Sequence, residues 1–304
     1  MSKRFEITIL GVNSAFPVHG RHPSCQVVNF DDRLYMIDCG EAAQIQIAKF
    51  KIKRNKLDHI FISHMHGDHC FGLPGLLTSF ALGGRNEALY LHGPLGIKKF
   101  IDVIIDITGA FIPFDLIIKE YDTEEINEIL ITSNLKVSTF PMKHRMPTMG
   151  FRFAEVITEH NINPAKIKEY NLSIDEIKRA KKGLNITREG VNITCDELTF
   201  TPSKPRSYSY CSDTVYDPEL IPHIKKSSLL YHETTYLNGL EIIAKERMHT
   251  TLGQAIDIAK SAKVEKMIIG HYSSRYADTK VFLDEGLPLY PGLILGVEGK
   301  TYSV

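Results

Sequence analysis

His59-Ile60-Phe61-Ile62-Ser63-His64-Met65-His66-Gly67-Asp68-His69 is the stretch on which the reading of this chain turns. An apolar run of one strand's length leads directly into three imidazoles and a carboxylate. Side chains two apart in an extended segment point the same way, so His64 and His66 can share one metal ion. Asp68 and His69 lie one bend further on and face a second. Nitrogen-rich sites with a carboxylate suit zinc, and geometry and supply can admit manganese or other divalent ions.

Around this stretch the composition is that of a globular protein with a sizeable core: 304 residues, 43% of them hydrophobic. No compositional break marks two independent units. The segment Met1 to Leu10 starts basic and then alternates like a strand, without the long apolar region of a secretory signal, so a cytoplasmic location is expected. Ile101 to Ile118 is the most apolar long stretch, but Asp102, Asp106, Pro113 and Asp115 interrupt it, so it reads as a core helix followed by a strand. No membrane span is expected. Cys25, Cys39, Cys70, Cys195 and Cys211 are scattered without a CxxC pair, the pattern of free thiols in a reducing compartment. Cys70, beside the histidines, reads as a small buried residue at a helix start. Lys and Arg (36) balance Asp and Glu (36), so net charge does not predict a nucleic-acid partner. Distribution is more informative: Lys166, Lys168, Lys178, Arg179, Lys181, Lys182 and Arg188 fall close together.

Periodicity places strands at Phe5 to Leu10, Cys25 to Phe30, Leu34 to Ile37 and His59 to Ile62, and helices at Glu41 to about Phe50 and Gly72 to Leu82. Leu89 to Leu91, a helix after Pro94, and strands near Leu135 to Phe140 and Gly150 to Val156 complete a first half. A second half repeats the alternation: strand Ser207 to Cys211, helix Pro218 to Lys225, strand Leu229 to His232, helix Thr251 to Ala262, strand Lys266 to Ile269. The polar residues of interest sit at strand ends. Between Val156 and Ser207, approximately residues 157–206, a charged insert breaks the pattern, with a helix Ser173 to Lys182 capped by Gly183 and a hairpin from Ile186 to Phe200. By itself this periodicity gives a mixed α/β class.

The HxHxDH motif after a short buried strand resembles the metallo-β-lactamase superfamily, and Cys70-Phe71-Gly72-Leu73-Pro74-Gly75 narrows the likeness to the ribonuclease Z family. Further pieces follow in family order: Asp38-Cys39-Gly40-Glu41, Pro141-Met142-Lys143-His144-Arg145, Cys211-Ser212-Asp213-Thr214, His232-Glu233-Thr234-Thr235, His249-Thr250-Thr251 and Gly270-His271-Tyr272. The resemblance covers almost the whole chain and implies an αββα sandwich in one domain spanning 1–304. It also implies that the insert is an exosite arm for tRNA. That arm usually has a Gly-Pro-rich tip; here Lys178-Arg179-Ala180-Lys181-Lys182-Gly183 stands instead.

The resemblance implies a ligand set as well. His64, His66, His144 and Asp213 would hold one zinc ion; Asp68, His69, His271 and the shared Asp213 would hold the other. Two such ions can activate a water and clamp an attacked phosphate, and Asp68 would also orient or deprotonate that water. His249, paired with Glu233, matches the residues expected to protonate the departing 3′-oxygen. Without the resemblance, Thr250 or Thr251 beside it reads as the cap of a helix beginning at Leu252. Asp38 is placed to fix a ligand imidazole. Lys143, Arg145 and Arg275 are candidates for phosphates near the metals. Phe71 reads equally as a base-stacking residue and as core.

The function implied is a zinc endoribonuclease that removes the 3′ trailer of precursor tRNA, leaving a 3′-hydroxyl on the tRNA and a 5′-phosphate on the trailer. A homodimer is implied with it. One alternative is a phosphodiesterase on small or cyclic nucleotides using the same ions; the other is a noncatalytic RNA-binding scaffold on the same fold.

Overall fold

The computed structural model describes residues 3–156, 159–200 and 204–304. Residues 1 and 2 lie outside the described residues, as do 157, 158 and 201–203 within the span expected for the insert. The chain divides into two compact units, Met1–Ile129 with Val137–Phe153 and Ser207–Val304, and Leu130–Lys136 with Ala154–Arg206.

The described residues include two seven-stranded sheets. The first has the order Thr301–Ser303, Phe5–Gly11, Cys25–Phe30, Arg33–Ile37, Leu57–Phe61, Leu89–Pro94, Leu116–Tyr121. The second runs Leu293–Leu295, Met267–Gly270, Leu229–Glu233, Ser207–Cys211, Thr148–Glu155, Leu135–Met142, Glu128–Ile131. The strands expected near 135–140 and 150–156 lie in the second sheet, and the late strand Thr301–Ser303 joins the first, antiparallel to Phe5–Gly11. Hydrophobic pattern alone carries no information about which sheet a strand joins.

Alternation along each strand builds two core layers. In Leu57–Phe61 and its continuation, Ile60 and Ile62 join an aliphatic cluster with Leu73, Leu76, Leu77 and Phe80 of the helix Leu73–Leu82. Phe61 turns the other way, its ring centroid 5.6 Å from Phe151 and 5.5 Å from Phe153 of the opposite sheet. Helices Ala43–Lys49, Leu73–Leu82 and Ile97–Thr108 cover the first sheet, and Leu252–Ser261 and Lys280–Gly286 cover the second. The architecture is the expected αββα sandwich. Thr251 starts Leu252–Ser261, its backbone N–H donating to Gln254 Oε1 at 3.0 Å. No helix among the described residues is long and apolar enough to cross a membrane.

The smaller unit has its own core of Leu172, Ala180, Ile186, Ile193 and Leu198. Its helix Ile174–Lys181 starts from a capping box between Ser173 and Glu176. The expected hairpin is shorter than Ile186 to Phe200: only Ile186–Arg188 and Val191–Ile193 pair with each other. Thr194 caps a helical turn Cys195–Leu198, after which Thr199–Phe200 pairs with Asn161–Ile162. A hydroxyl that satisfies the first free N–H groups of a turn competes with continued strand.

Candidate metal centre

In the second sheet, Ser207–Cys211, Leu229–Glu233 and Met267–Gly270 run parallel, with Cys211 opposite His232 and Glu233 opposite Gly270. Their carboxyl ends therefore share one edge, which carries Asp213, Glu233 and His271. His144 follows Leu135–Met142, and the histidine stretch follows Leu57–Phe61 of the first sheet. His66 flanks a helical turn, Gly67–Cys70, that swings Asp68 and His69 away from the extended His64–His66 pair. Strand ends distant in sequence thus meet at one lip of the sandwich.

Two groups form there. His64, His66, His144 and Asp213 make the first; Asp68, His69, His271 and Asp213 make the second. In the first, His66 Nδ1 lies 3.0 Å from His64 Nε2 and 3.2 Å from His144 Nε2. Burial lowers the pKa of all three imidazoles and so favours the neutral form that can ligate a cation. In the second, Asp68 Oδ2 stands 3.3 Å from His271 Nε2 and 3.6 Å from His69 Nε2. Asp213 faces both groups: Oδ1 is 3.4 Å from His69 and 3.2 Å from His271, while Oδ2 is 3.8 Å from both His64 and His144.

The buried atoms His69 Nε2 and Asp213 Oδ1 have no hydrogen-bond partner. Buried polar atoms are rarely left so, and two that point into one ligand group fit a metal ion. Burial opposes charge on Asp213 and on His69, but each is overruled by its neighbours. His271 and His69 hold the Asp213 carboxyl well below the usual range, and Asp213, Asp38 and Asp68 raise His69 well above its own. The field that favours a proton on His69 favours a cation there equally.

Four of the five imidazoles are aimed by a bond at their other nitrogen. His144 Nδ1 is 2.8 Å from the Met248 carbonyl, His271 Nδ1 3.0 Å from Thr235 Oγ1, and His64 Nδ1 3.1 Å from Ser63 Oγ. His69 Nδ1 lies 2.7 Å from Asp38 Oδ2, as the sequence suggested. Asp38 also accepts from the Ser63 backbone N–H at 2.7 Å, Ser63 Oγ at 3.0 Å and Tyr210 Oη at 2.6 Å. Asp38 (φ 56°) and His271 (φ 60°) both take left-handed backbone, a conformation that is uncommon for such residues and gathers at functional sites. Gly40 and Gly72 let the loops interlock: a Cβ on Gly72 would collide with the Gly40 carbonyl oxygen. Ser63 and Thr235 adjoin motif residues and were within reach of sequence reasoning. Tyr210, at an ordinary strand position, carried no signal.

Glu233 Oε1 lies 3.2 Å from His249 Nδ1. Burial opposes a proton on His249, but Glu233 outweighs it and lifts the imidazole to about 9. Glu233 and His249 could themselves complete a ligand group with His271. However, the Glu233 oxygens already accept from the N–H groups of Thr235 at 2.9 Å and Thr250 at 2.8 Å and from Thr235 Oγ1 at 2.8 Å. A carboxylate so occupied suits the holding of an imidazolium. Thr251 is the helix cap beside it, so both readings of this segment apply.

The remaining candidates are placed unequally. Lys143 Nζ is matched by Asp217 at 3.2 Å and Glu219 at 2.6 Å. Arg145 donates to the Glu246 carbonyl at 2.7 Å, and the Arg275 guanidinium lies 5.0 Å from the Tyr236 ring centroid. A cavity of about 1390 Å³ adjoins His144 and His249, bordered by Lys143, Arg145, Tyr216 and Ile242. Phe71 is 62% exposed, which rules out the core reading of that ring. Cys70 is buried, with Sγ 3.7 Å from the Met65 carbonyl, and stands in neither ligand group. In the smaller unit Lys178, Arg179 and Lys182 are exposed; Lys178 stands 4.0 Å from Asp175, Lys181 3.6 Å from Glu159, and Arg179 donates to the Asn185 carbonyl.

Ribonuclease Z of Bacteroides fragilis is 39% identical over 303 residues, which is 99% of this chain and 100% of the relative. Ribonuclease Z of Parabacteroides distasonis is 40% identical over 301 residues, 99% of each. The chain belongs to the ribonuclease Z family. Among solved structures, human tRNase Z, short form (ELAC1), superposes with a TM-score of 0.71 at 21% identity, covering 98% of this chain and 99% of that one. The metallo-β-lactamase fold protein YhfI of Bacillus subtilis gives a TM-score of 0.69 at 16% identity, covering 99% and 100%. These two share the sandwich. Residues 5–100 also match the family model described as anti-Pycsar protein Apyc1. For a ribonuclease Z family member the buried His and Asp groups are suited to metal.

Proposed function

We propose that this chain is a cytoplasmic zinc endoribonuclease that removes the 3′ trailer of precursor tRNA, cutting after the discriminator base. Membership of the ribonuclease Z family makes it a phosphodiester hydrolase. The observation that carries the reading further is the Asp213 carboxylate, which turns one oxygen to each of two histidine groups. Two zinc ions, one per group, would supply Lewis acidity toward water and phosphate when bound.

The chain's own residues do the rest. His64, His66, His144, His69, His271, Asp68 and Asp213 bind the ions. The Asp68 carboxyl is kept ionised because His69 and His271 outweigh its burial, so it can accept a hydrogen bond from the attacking water and orient it. The departing 3′-oxygen needs a proton, and His249, held as imidazolium by Glu233, donates it. The cavity beside His249 has room for the nucleotide that bears this oxygen. Arg145 and Arg275 are assigned to phosphates near the cut, with Lys143 in reserve behind its two carboxylates, and the exposed Phe71 ring to a base. The smaller unit is assigned as the tRNA arm, with Lys178, Arg179, Lys181 and Lys182 as its cations.

A homodimer accompanies this reading. Pro74, Leu77, Ile104, Ile105 and Ile112 line a groove of about 480 Å³, and Ile107 and Phe111 beside it are 77% and 81% exposed. A second copy of the chain is the occupant we assign, checked by light scattering.

The functional test is cleavage of a labelled precursor with an extended trailer. A tRNA ending in a 3′-hydroxyl one nucleotide beyond the acceptor stem is the expected product. An enzyme that hydrolyses bis(p-nitrophenyl) phosphate and cyclic nucleotides but leaves the precursor intact would be a small-substrate phosphodiesterase instead.

A further inference from the structure

Lys49-Phe50-Lys51-Ile52-Lys53-Arg54-Asn55-Lys56 carries five cations in eight residues, and no acid occurs between Glu41 and Asp58. All five basic side chains belong to exposed residues. Among the described residues no carboxylate lies within ion-pair distance of any of them. In the smaller unit, by contrast, several of the cations are met: Lys166 by Glu169 at 2.9 Å, Lys181 by Glu159 at 3.6 Å, and Arg188 by Glu176 at 2.5 Å. In a chain whose charges balance overall, the run from Lys49 to Lys56 is a dense cluster of cations without carboxylate partners.

Unpaired like charges repel, and keeping five together on one short loop destabilises it unless something anionic arrives. The loop also borders a groove of about 910 Å³, to which Lys51, Lys53 and Arg54 contribute alongside Ile45, Ile52 and Phe80. A second copy of this chain brings the same cations, so it is not the occupant. We propose that this loop is a second RNA-backbone contact, gripping precursor tRNA phosphates at a distance from the metal centre. The proposal rests on the assignment of precursor tRNA as substrate.

Position supports it. The helix Ala43–Lys49 begins beside the Asp38–Gly40 loop and delivers Lys49 roughly 10 Å away, at 1.5 Å per residue. From Lys56 the strand Leu57–Phe61 leads back to the histidine stretch over about 17 Å. An A-form RNA stem of several base pairs spans that separation. Phosphate contacts carry no sequence information, which is what an enzyme acting on many tRNAs requires.

The test is the joint substitution Lys49→Gln, Lys51→Gln, Lys53→Gln and Lys56→Gln, leaving Arg54, which packs on Gly83. Precursor tRNA binding is measured from low to moderate salt, with poly-L-glutamate titrated in parallel. Two or more lost phosphate contacts should weaken tRNA binding about tenfold and flatten the slope of log K against log salt by ~1.5–2. Hydrolysis of bis(p-nitrophenyl) phosphate should stay as in the parent, and the melting temperature should not fall, since the substitutions relieve like-charge repulsion. An unchanged tRNA slope in a variant whose parent binds and cuts the precursor overturns this inference alone. Loss of poly-L-glutamate binding with tRNA binding intact also overturns it, in favour of an acidic protein partner. A parent that hydrolyses the small diester but neither binds nor cuts precursor tRNA overturns the substrate assignment and the inference together.

Discussion

Glu233 and His249 form a carboxylate–imidazole pair, Oε1 to Nδ1 at 3.2 Å, in which the carboxylate is wholly buried and the ring reaches the edge of the cavity. The imidazole has two sides: Nδ1 is held, and Nε2 is free to give a proton. His249→Ala should leave metal content unchanged and slow precursor cleavage by about 10²–10⁴-fold, the usual worth of general acid catalysis. Sulfur in place of the bridging 3′-oxygen needs little protonation as it departs, so that substrate should be largely spared. Equal damage on both substrates would rule out the general-acid role.

Asp213 serves both ligand groups, whereas His271 serves only the second. Elemental analysis after mild dialysis should give close to two zinc per parent chain, about one for His271→Ala, and less than one for Asp213→Ala. An active parent that reproducibly holds a single ion would sink the shared-carboxylate scheme.

Tyr210 reaches His69 only through Asp38, yet its hydroxyl is one of the groups that fix that carboxylate. A hydrogen bond to a charged group is worth about 1.5–3 kcal/mol. Tyr210→Phe should lower stability by about that amount and weaken zinc binding ~10-fold or somewhat more, as loss of outer support around a ligand does. Competition with a chromogenic chelator gives the affinity. Unaltered affinity would mean that Ser63 and its backbone N–H hold Asp38 sufficiently.

The Arg188 guanidinium and the Ser173 bonds at the helix start hold Glu176 down to about 2. A carboxyl whose folded pKa lies below its ordinary 4.5 contributes stability above pH 4.5 and loses it as pH falls through about 2. Arg188→Gln should therefore speed amide hydrogen exchange over residues 173–188 at pH 6 and make little difference near pH 2. A penalty of equal size at both pH values would trace the effect to lost packing of the arginine stem.

The cations of the smaller unit give a graded expectation. Exposed ion pairs are weak and exchange partners readily, so Lys178 and Lys181 remain available to phosphates. Changing Lys178, Arg179, Lys181 and Lys182 together to Ala should raise the Kd for precursor tRNA and flatten its salt dependence. Bis(p-nitrophenyl) phosphate hydrolysis should barely change. A parent-like salt slope would make this charge run a solvated face.

The metal centre was readable because its chemistry is concentrated. His64 to His69 lie within six residues, and the period of a strand is enough to divide them between two ions. His144, Asp213 and His271 are single residues at strand ends, and only their order within the family resemblance singled them out. What escaped was fixed by contacts distant in sequence. Tyr210 is 172 residues from the Asp38 it supports, and no local pattern announces such a partner. Which sheet Leu135–Met142 joins was not legible for the same reason, since an alternating strand fits either sheet equally. The cations from Lys49 to Lys56 are plain in the sequence. Their lack of partners is a property of the folded surface.

The pairing of Thr301–Ser303 with Phe5–Gly11 also constrains the order of biosynthesis. Glu6 lies opposite Ser303, so the edge of the first sheet closes between the earliest and the latest residues of that unit. At about 5–20 residues per second, translation separates these two segments by roughly 15–60 s. Through that interval Phe5–Gly11 has only Cys25–Phe30 as a neighbour, and its other side offers unpaired backbone to any passing strand. The half-finished chain is then the form in greatest need of a chaperone, and a permuted gene that joins the two segments through a short linker would shorten its exposure.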